Sequence, residues 1–543
     1  MTQKVRNYDS RIPNTPVGQQ SPWQSIKEKP SISGDTGSNK ALCWAVERFQ
    51  ACRKDHYECS ESDVPLPTRV LEVGLVDSGE EVPKVKLYVT QGEIAPYICL
   101  SHCWGLMPNK AKTMQSTLKE YQGGISWMVL PKTFQEAVLV TLRLGVHYLW
   151  IDSLCIIQDD KDDWRRESSE MCSVYSGGAL TIFATDSTDS QGGLFRKPSP
   201  FDLSHKVMDG ITDGCQWEIN VAPDLKNIQK FLYYPKAFPL FSRAWVYQER
   251  LLSSRQLHFG ASEIEWKCEA GIAGEGSTIC SSKDVDDIPL GLSAQSISKL
   301  ADRWHELVER YSSLDLSFSS DRLPAVGGVA KQMEGFMKCE YLAGLWGKSL
   351  LGDLLWWKAP PYHHRIKRPP APTWSWASVD GPVVYMWDAR LAVPLCEILE
   401  CCCSTLSPDS FGQVSAGHLT VSGMVSQVDH SSRRRVRTEQ SRNAGESEFD
   451  FLVALRSKGT NRVDPDYPWY EEGYARIQPK ESVFLLKLGK SDKRLYSVVL
   501  RCTDPSTQTY ERVGLLMQDS HVMETDVEFF PRERVREETI HIV

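Results

Sequence analysis

The sequence predicts an α/β core built on a parallel sheet, followed by a helical segment and a β-rich C-terminal unit. Three observations carry this expectation. From Tyr97 to about Ala184, short apolar runs alternate with segments of helical period, the succession that builds a parallel sheet. Residues 290–357 carry longer helical patterns, as in ADRWHELVERYSSL and KCEYLAGLWGKSLLGDLLWW. Beyond about Pro369 the chain changes to short β-prone stretches separated by polar turns, among them PTWSWASV, HLTVSGMVSQV, SVFLLKL and LYSVVLRC.

Residues 1–38 are rich in Ser, Pro, Gly, Gln and Asn and read as a disordered tail. A helical lead-in follows over 39–65, with Trp44, Arg48 and Phe49 at helical spacing. The α/β core is expected over 66–275. YICLSHCWG is a buried strand that stops in a loop at Gly105. LPKTFQEAVLVTLRLGV is a helix with Pro131 near its first turn, Phe134, Val138 and Leu142 on one face, and Gly145 as its stop. HYLWIDSLCII is the second apolar run. DDWRRESSEMCSVYSGG is a second helix, opened by Asp159 or Asp160, striped by Trp164, Ser168, Met171 and Tyr175, and closed by Gly177 and Gly178. ALTIFAT is the third run. Residues 186–235 look like an insertion, after which SRAWVYQERLLS forms a helix leading into the strands RQLHFG and EIEWKC. The helical segment is expected over 276–368. The β-rich unit spans 369–543, with a disordered loop at about 429–448 that holds the basic run Arg433, Arg434, Arg435 and Arg437.

Composition excludes several classes. Lys and Arg number 62 against 70 Asp and Glu, a net charge of −8, which argues against a nucleic-acid or anionic-membrane partner. The 16 cysteines are too sparse for a disulfide-stapled secreted fold, and no apolar stretch is long enough to span a membrane. The most apolar window, AVLVTLRLGVHYLWI, is broken by Arg143, Gly145 and His147. Neither a P-loop nor a G-x-G-x-x-G is present. The expected setting is intracellular, cytoplasmic or nuclear, with reduced thiols.

Several blocks, taken in order, carry a family resemblance: LPTRVLEVG (66–74), YICLSHCWG (97–105), LPKTFQEAV (130–138), LWIDSLCIIQDDKDDWRRESSEM (149–171), VYSGGALTIFAT (174–185) and SRAWVYQERLLSSRQLHFG (242–260). With YLAGLWGKSL and APTWSWASVDGPV beyond them, the chain resembles the fungal heterokaryon-incompatibility (HET) domain family over roughly residues 41–425. The resemblance implies a role in non-self recognition and programmed cell death, with an unknown protein partner. It also implies a distant likeness to Toll/interleukin-receptor (TIR) domains. Some TIR domains cleave NAD with a glutamate in a W-x-x-x-E pattern, and Trp245 and Glu249 stand at that spacing. NAD would then be a substrate, and no bound cofactor is expected. Others signal by ordered assembly, which implies a homo-oligomer. Ala244 and Val246 depart from the Gly and Thr or Cys often found beside the tryptophan.

The residues themselves add their own argument. Trp245, Glu249 and Leu252 fall at i, i+4 and i+7, which turns the carboxylate inward, where it must pair with Arg243 or Arg250 or serve a pocket. A carboxylate beside a ribose stabilises the positive charge that builds as a glycosidic bond breaks. Ser101, His102, Trp104 and Gly105 end the first strand and Asp152 ends the second, where open α/β sheets gather ligands. With Trp245, Arg243 and Gln248 they form the expected substrate-binding set around Glu249, although Asp152 equally suits a cap and His102 a satisfied structural role. Alternation along a strand keeps His102 from activating Ser101 or Cys103 as a nucleophile. Cys52, His56 and Cys59 are spaced as three zinc ligands with Cys43 as the available fourth, but the spacing is short and lacks a second C-x-x-C pair, so no metal is assigned from sequence. The run Cys401, Cys402 and Cys403 reads as core or surface thiols.

Overall fold

The structure, a computed structural model, describes residues 9–11, 32–59, 64–75, 82–105, 111–197, 205–212, 215–222, 238–276, 296–360, 366, 369–386, 391–406, 408–428, 461–467, 477, 481–519 and 535–543. The expected loop at 429–448, with its arginine run, lies outside them. The chain divides into two units, Met1–Ile288 and Pro289–Val543.

The first unit is organised by an eight-stranded sheet: β1 (Arg69–Gly74), β2 (Lys84–Val89), β3 (Ile98–Ser101), β4 (Tyr148–Ile151), β5 (Leu180–Phe183), β6 (Arg255–Phe259), β7 (Ile264–Cys268) and β8 (Gly271–Gly274). Its order is β8-β7-β6-β5-β3-β4-β1-β2. The central strands β6, β5, β3 and β4 are parallel, and the flanking pairs are antiparallel. Every residue of β3 and β5 is buried, which is why these strands read as unbroken apolar runs rather than alternating ones.

Helix α1 (Asn39–Asp55) precedes the sheet, and α2 (Lys132–Arg143), α3 (Lys161–Gly177) and α4 (Ala244–Leu252) lie in the connections between its strands. Their ends follow local chemistry. The Ser38 side chain accepts from Ala41 N–H, and Asp160 accepts from the N–H groups of Asp162 and Asp163. Gly145, at φ +75°, supplies the left-handed turn after α2. The α3 stripe read from sequence is corrected by the structure: Trp164 and Ser168 are only half-buried, whereas Asp163 and Glu167 face inward. Arg69 of β1 accounts for the difference, lying 2.6 Å from Asp163 and 3.2 Å from Glu167 and donating to Cys155 O. Apolar periodicity does not register a face whose buried members are paired charges.

The β3–α2–β4 connection runs to one side of β3, and β5–α4–β6 runs to the other. The carboxyl ends of β3 and β5, adjacent in the sheet, therefore form a topological switch point. Part of the stretch expected as tail is ordered into this unit. Asp9–Arg11 pairs with Cys215–Ala222, itself paired with His205–Thr212, and Thr36 exchanges hydrogen bonds with Arg196 and Leu194. The beginning of the expected insertion is also built in, because Glu136 of α2 accepts from Leu194 N–H and Phe195 N–H.

In the second unit, α5 (Ile297–Ser312) and α6 (Pro324–Met337) pack with a tryptophan-rich core that includes Trp304, Trp346, Trp356, Trp374 and Trp376. Its sheet contains β9 (Cys396–Thr405), β10 (Val414–Val428), β11 (Val483–Lys490), β12 (Arg494–Asp504), β13 (Thr509–Asp519) and β14 (Val535–Ile542). Because β10 pairs with both β14 and β11, the succession β11-β12-β13-β14-β10 closes on itself and leaves these strands without a free edge. The expected helical segment is corrected: KCEYLAGLWGKSLLGDLLWW forms the paired strands Tyr341–Leu342 and Leu345–Trp346 and a single helical turn at Leu350–Asp353 rather than a long helix, and from Pro289 on this segment shares one unit with the β-rich one. No helix among the described residues is long and apolar enough to cross a membrane.

Candidate active site

Three segments converge at the switch point. β3 ends at Ser101, and the chain leaves the sheet through His102, Cys103, Trp104 and Gly105. Gly105 has φ +79°, and a Cβ there would collide with the Asp189 side chain, so both backbone conformation and space require glycine. Asp152 opens the helical turn after β4 and accepts from Ser153 N–H at 2.6 Å and from Trp104 Nε1–H at 2.8 Å, tying the two loops together. Arg243, immediately before α4, donates to His102 O at 2.9 Å and fixes the start of that helix against the β3 loop.

Glu249 lies on the inner side of α4 and is 5% exposed. Burial pushes its carboxyl up to about 7. The Ser101 and Tyr175 hydroxyls and the Arg243 charge favour the ionised form, and the Asp152 charge opposes it. Glu249 Oε2 has no hydrogen-bond partner, and Ser101 Oγ has none of good geometry. Of the two roles the sequence leaves open, the ion pair is not formed among the described residues. Arg243 acts on the carboxylate only through its field.

His102 is buried and packs edge-on against Phe134, with ring centroids 4.8 Å apart. Neither ring nitrogen has a hydrogen-bond partner, and Nδ1 stands 3.8 Å from Asp152 Oδ1, too far for a hydrogen bond. Burial lowers its pKa to about 4, with Asp152 opposing and Arg243 adding, so the ring is neutral at pH 7. The satisfied structural histidine that the sequence allows is therefore not what the structure contains. Burial raises the Cys103 thiol, which belongs to an apolar cluster with Phe183, Phe241 and Val246.

Every substrate-binding residue expected from sequence lies on one of these segments. Ser101, His102, Gln248 and Glu249 are buried, while Trp104, Asp152, Arg243 and Trp245 are half-buried and Gly105 is exposed. Trp245 meets Trp164 edge-on at 6.3 Å. Two contributors were missed. Tyr175, read only as part of an apolar stripe, brings its hydroxyl to Glu249. Ser190, within the expected insertion, donates to the carbonyls of Cys103 and Trp104. Neither carries a local sequence signal, since both contacts depend on distant pairings.

The suspected zinc ligands divide differently. Cys52, His56 and Cys59 come together, but Cys43 turns away toward Asn39 and Arg143, and Cys268 takes the fourth place.

Residues 97–249 match the family model described as Heterokaryon incompatibility protein (HET). No curated protein and no solved structure matches the chain.

Proposed function

With residues 97–249 forming a HET domain, we propose that this chain serves heterokaryon-incompatibility-type non-self recognition by cleaving NAD, with cell death following from loss of the dinucleotide. The observation that carries this reading is the buried Glu249 carboxyl at the switch point, with Oε2 unpartnered and the Ser101 hydroxyl beside it. The reaction breaks the bond between ribose C1′ and the nicotinamide nitrogen. The electron pair leaves with nicotinamide, neutralising its pyridinium charge, and the sugar becomes oxocarbenium-like. Water adds to C1′ and releases a proton, giving ADP-ribose.

In this mechanism ionised Glu249 stabilises the charge developing on the ribose, and Ser101 orients that carboxylate or a ribose hydroxyl. The cationic nicotinamide ring itself favours ionisation of Glu249 on binding. The half-buried Trp104 and Trp245 suit planar rings, Asp152 holds Trp104 by its indole N–H, and Arg243 offers a charge to the pyrophosphate. Buried, neutral His102 supplies one N–H donor. The expected setting is the cytoplasmic NAD pool.

The test is nicotinamide release from NAD by the full-length chain. Glu249→Gln is expected to lower turnover by at least about 100-fold, and the kcat/KM of the native chain is expected to rise as pH increases through about 7. Absence of turnover at high protein concentration, or turnover indifferent to Glu249→Gln, defeats the proposal. Cell death that persists in the Gln variant would point instead to a module acting by self-association.

A further inference from the structure

Away from the switch point, the end of α1 meets the β7–β8 hairpin. His56 caps α1, its N–H bonded to Cys52 O, and the short 3-10 turn that follows ends at Cys59, whose N–H bonds to His56 O. One tight turn thus presents three donor side chains on one side. The fourth, Cys268, ends β7, and its sulfur lies 3.4 Å from His56 Nδ1 across 212 residues of sequence. The three sulfurs and the imidazole nitrogen all lie within 4.8 Å of one another. A tetrahedral zinc with bonds of about 2.3 Å to sulfur and about 2.0 Å to nitrogen sets donor atoms roughly 3.5–3.8 Å apart, so only a small contraction separates this cluster from coordination.

Cys52, Cys59 and Cys268 are buried. Arg255 Nε–H points at Cys52 Sγ from 3.3 Å. Arg255 is itself 2% exposed, and its remaining bonds go to the carbonyls of Cys59 and Ala179, with no carboxylate among the described residues. A buried guanidinium needs an anion. Three thiolates around a divalent ion carry one net negative charge, which supplies it.

We propose that Cys52, His56, Cys59 and Cys268 form a closed Cys3His site for zinc that fastens the end of α1 to the β7–β8 hairpin. Protein ligands fill all four positions and leave none for water or substrate, so the role is structural. Thiolate-rich tetrahedral donors select zinc over the hard cations. The half-buried His56 leaves the ion a path from solvent. The affinity of such a site becomes folding free energy for the segments it joins.

The test begins with elemental analysis of the full-length chain purified under reducing conditions without chelator. About one zinc per chain is expected. Cys268→Ser and Cys52→Ser should each reduce zinc content at least about tenfold, while Cys43→Ser should retain it. Because loss of a buried cysteine can unfold a chain without any metal being involved, the native chain is also stripped and reloaded with Co²⁺. Thiolate-to-cobalt charge-transfer bands and tetrahedral d–d bands, abolished by stoichiometric Zn²⁺, are expected. A chain that takes up neither ion overturns the proposal. So does zinc that survives Cys268→Ser but is lost with Cys43→Ser, or a disulfide among these cysteines in the chain as purified.

Discussion

Replacing Glu249 with Gln should remove turnover and yet strengthen the first unit above neutral pH. The magnitude follows from burial, which moves the carboxyl from its ordinary 4.5 to about 7 in the folded protein. At about 1.4 kcal/mol per pH unit, holding this group ionised in the fold costs about 3 kcal/mol. Because the folded value is raised, the folded state binds the proton more tightly than the unfolded chain. Stability from this group is fully present below about 4.5 and is lost as pH rises through about 7. Gln keeps the shape without the charge, so the variant should match the native chain near pH 4.5 and gain up to about 3 kcal/mol by pH 8. At about 2–4 °C per kcal/mol in a unit of this size, the apparent Tm should rise by up to roughly 6–12 °C. Calorimetric scans at the two pH values, beside the nicotinamide assay, measure both halves. Equal destabilisation at both pH values would refute the reasoning, because Glu249 would then be a satisfied structural acceptor.

Three further substitutions test the buried charges and the backbone geometry of the two units. Arg69→Met leaves Asp163 and Glu167 buried without their main cation, and should cost the first unit about 3–5 kcal/mol; a loss of Tm equivalent to under about 1 kcal/mol would contradict the buried pairing. Gly105→Ala forces a side chain into the left-handed region and against Asp189, so the β3 loop must shift. Its direct strain is about 1–3 kcal/mol, and nicotinamide release should fall by more than the Tm change explains. In the second unit, Arg512 lies 3.5 Å from the Trp356 ring centroid and bonds Asp466 and Leu354 O. Arg512→Leu should therefore lower that unit's transition by about 3–5 kcal/mol, without the pH dependence predicted for Glu249→Gln.

Much of the parallel sheet was legible because its strands are buried on both faces and its helices are capped by residues with a single local meaning, such as Asp160. The position in the fold of some candidate residues was legible for a related reason. Strand ends and an inward-facing helix position are one-dimensional features, so the places of Ser101, Asp152 and Glu249, though not their roles, could be read before any contact was known. Residues whose role depends on non-local pairing were not legible. Asp163 and Glu167 look like solvated helix positions until Arg69 arrives from β1. Cys268 is an ordinary strand cysteine until the β7–β8 hairpin brings it to His56. Cys43 has the better sequence claim as fourth ligand and the worse position, since it lies three turns up α1 from the end where the other donors gather.

The matched segment ends on Glu249, but the physical unit that positions this carboxyl does not. The next strand, β6, starts at Arg255 and covers the otherwise open edge of β5. Upstream of the match, β1 contributes Arg69, without which two buried carboxylates in α3 have lost their principal cation. The sheet is thus completed by parts outside the segment that carries the candidate chemistry. The α1 turn and the β7–β8 hairpin meet at the cysteine cluster beyond both limits of the match. A chain trimmed to residues 97–249 would keep every candidate site residue. It would also expose an unpaired central strand and strand Asp163 and Glu167, so its inactivity would say nothing about Glu249.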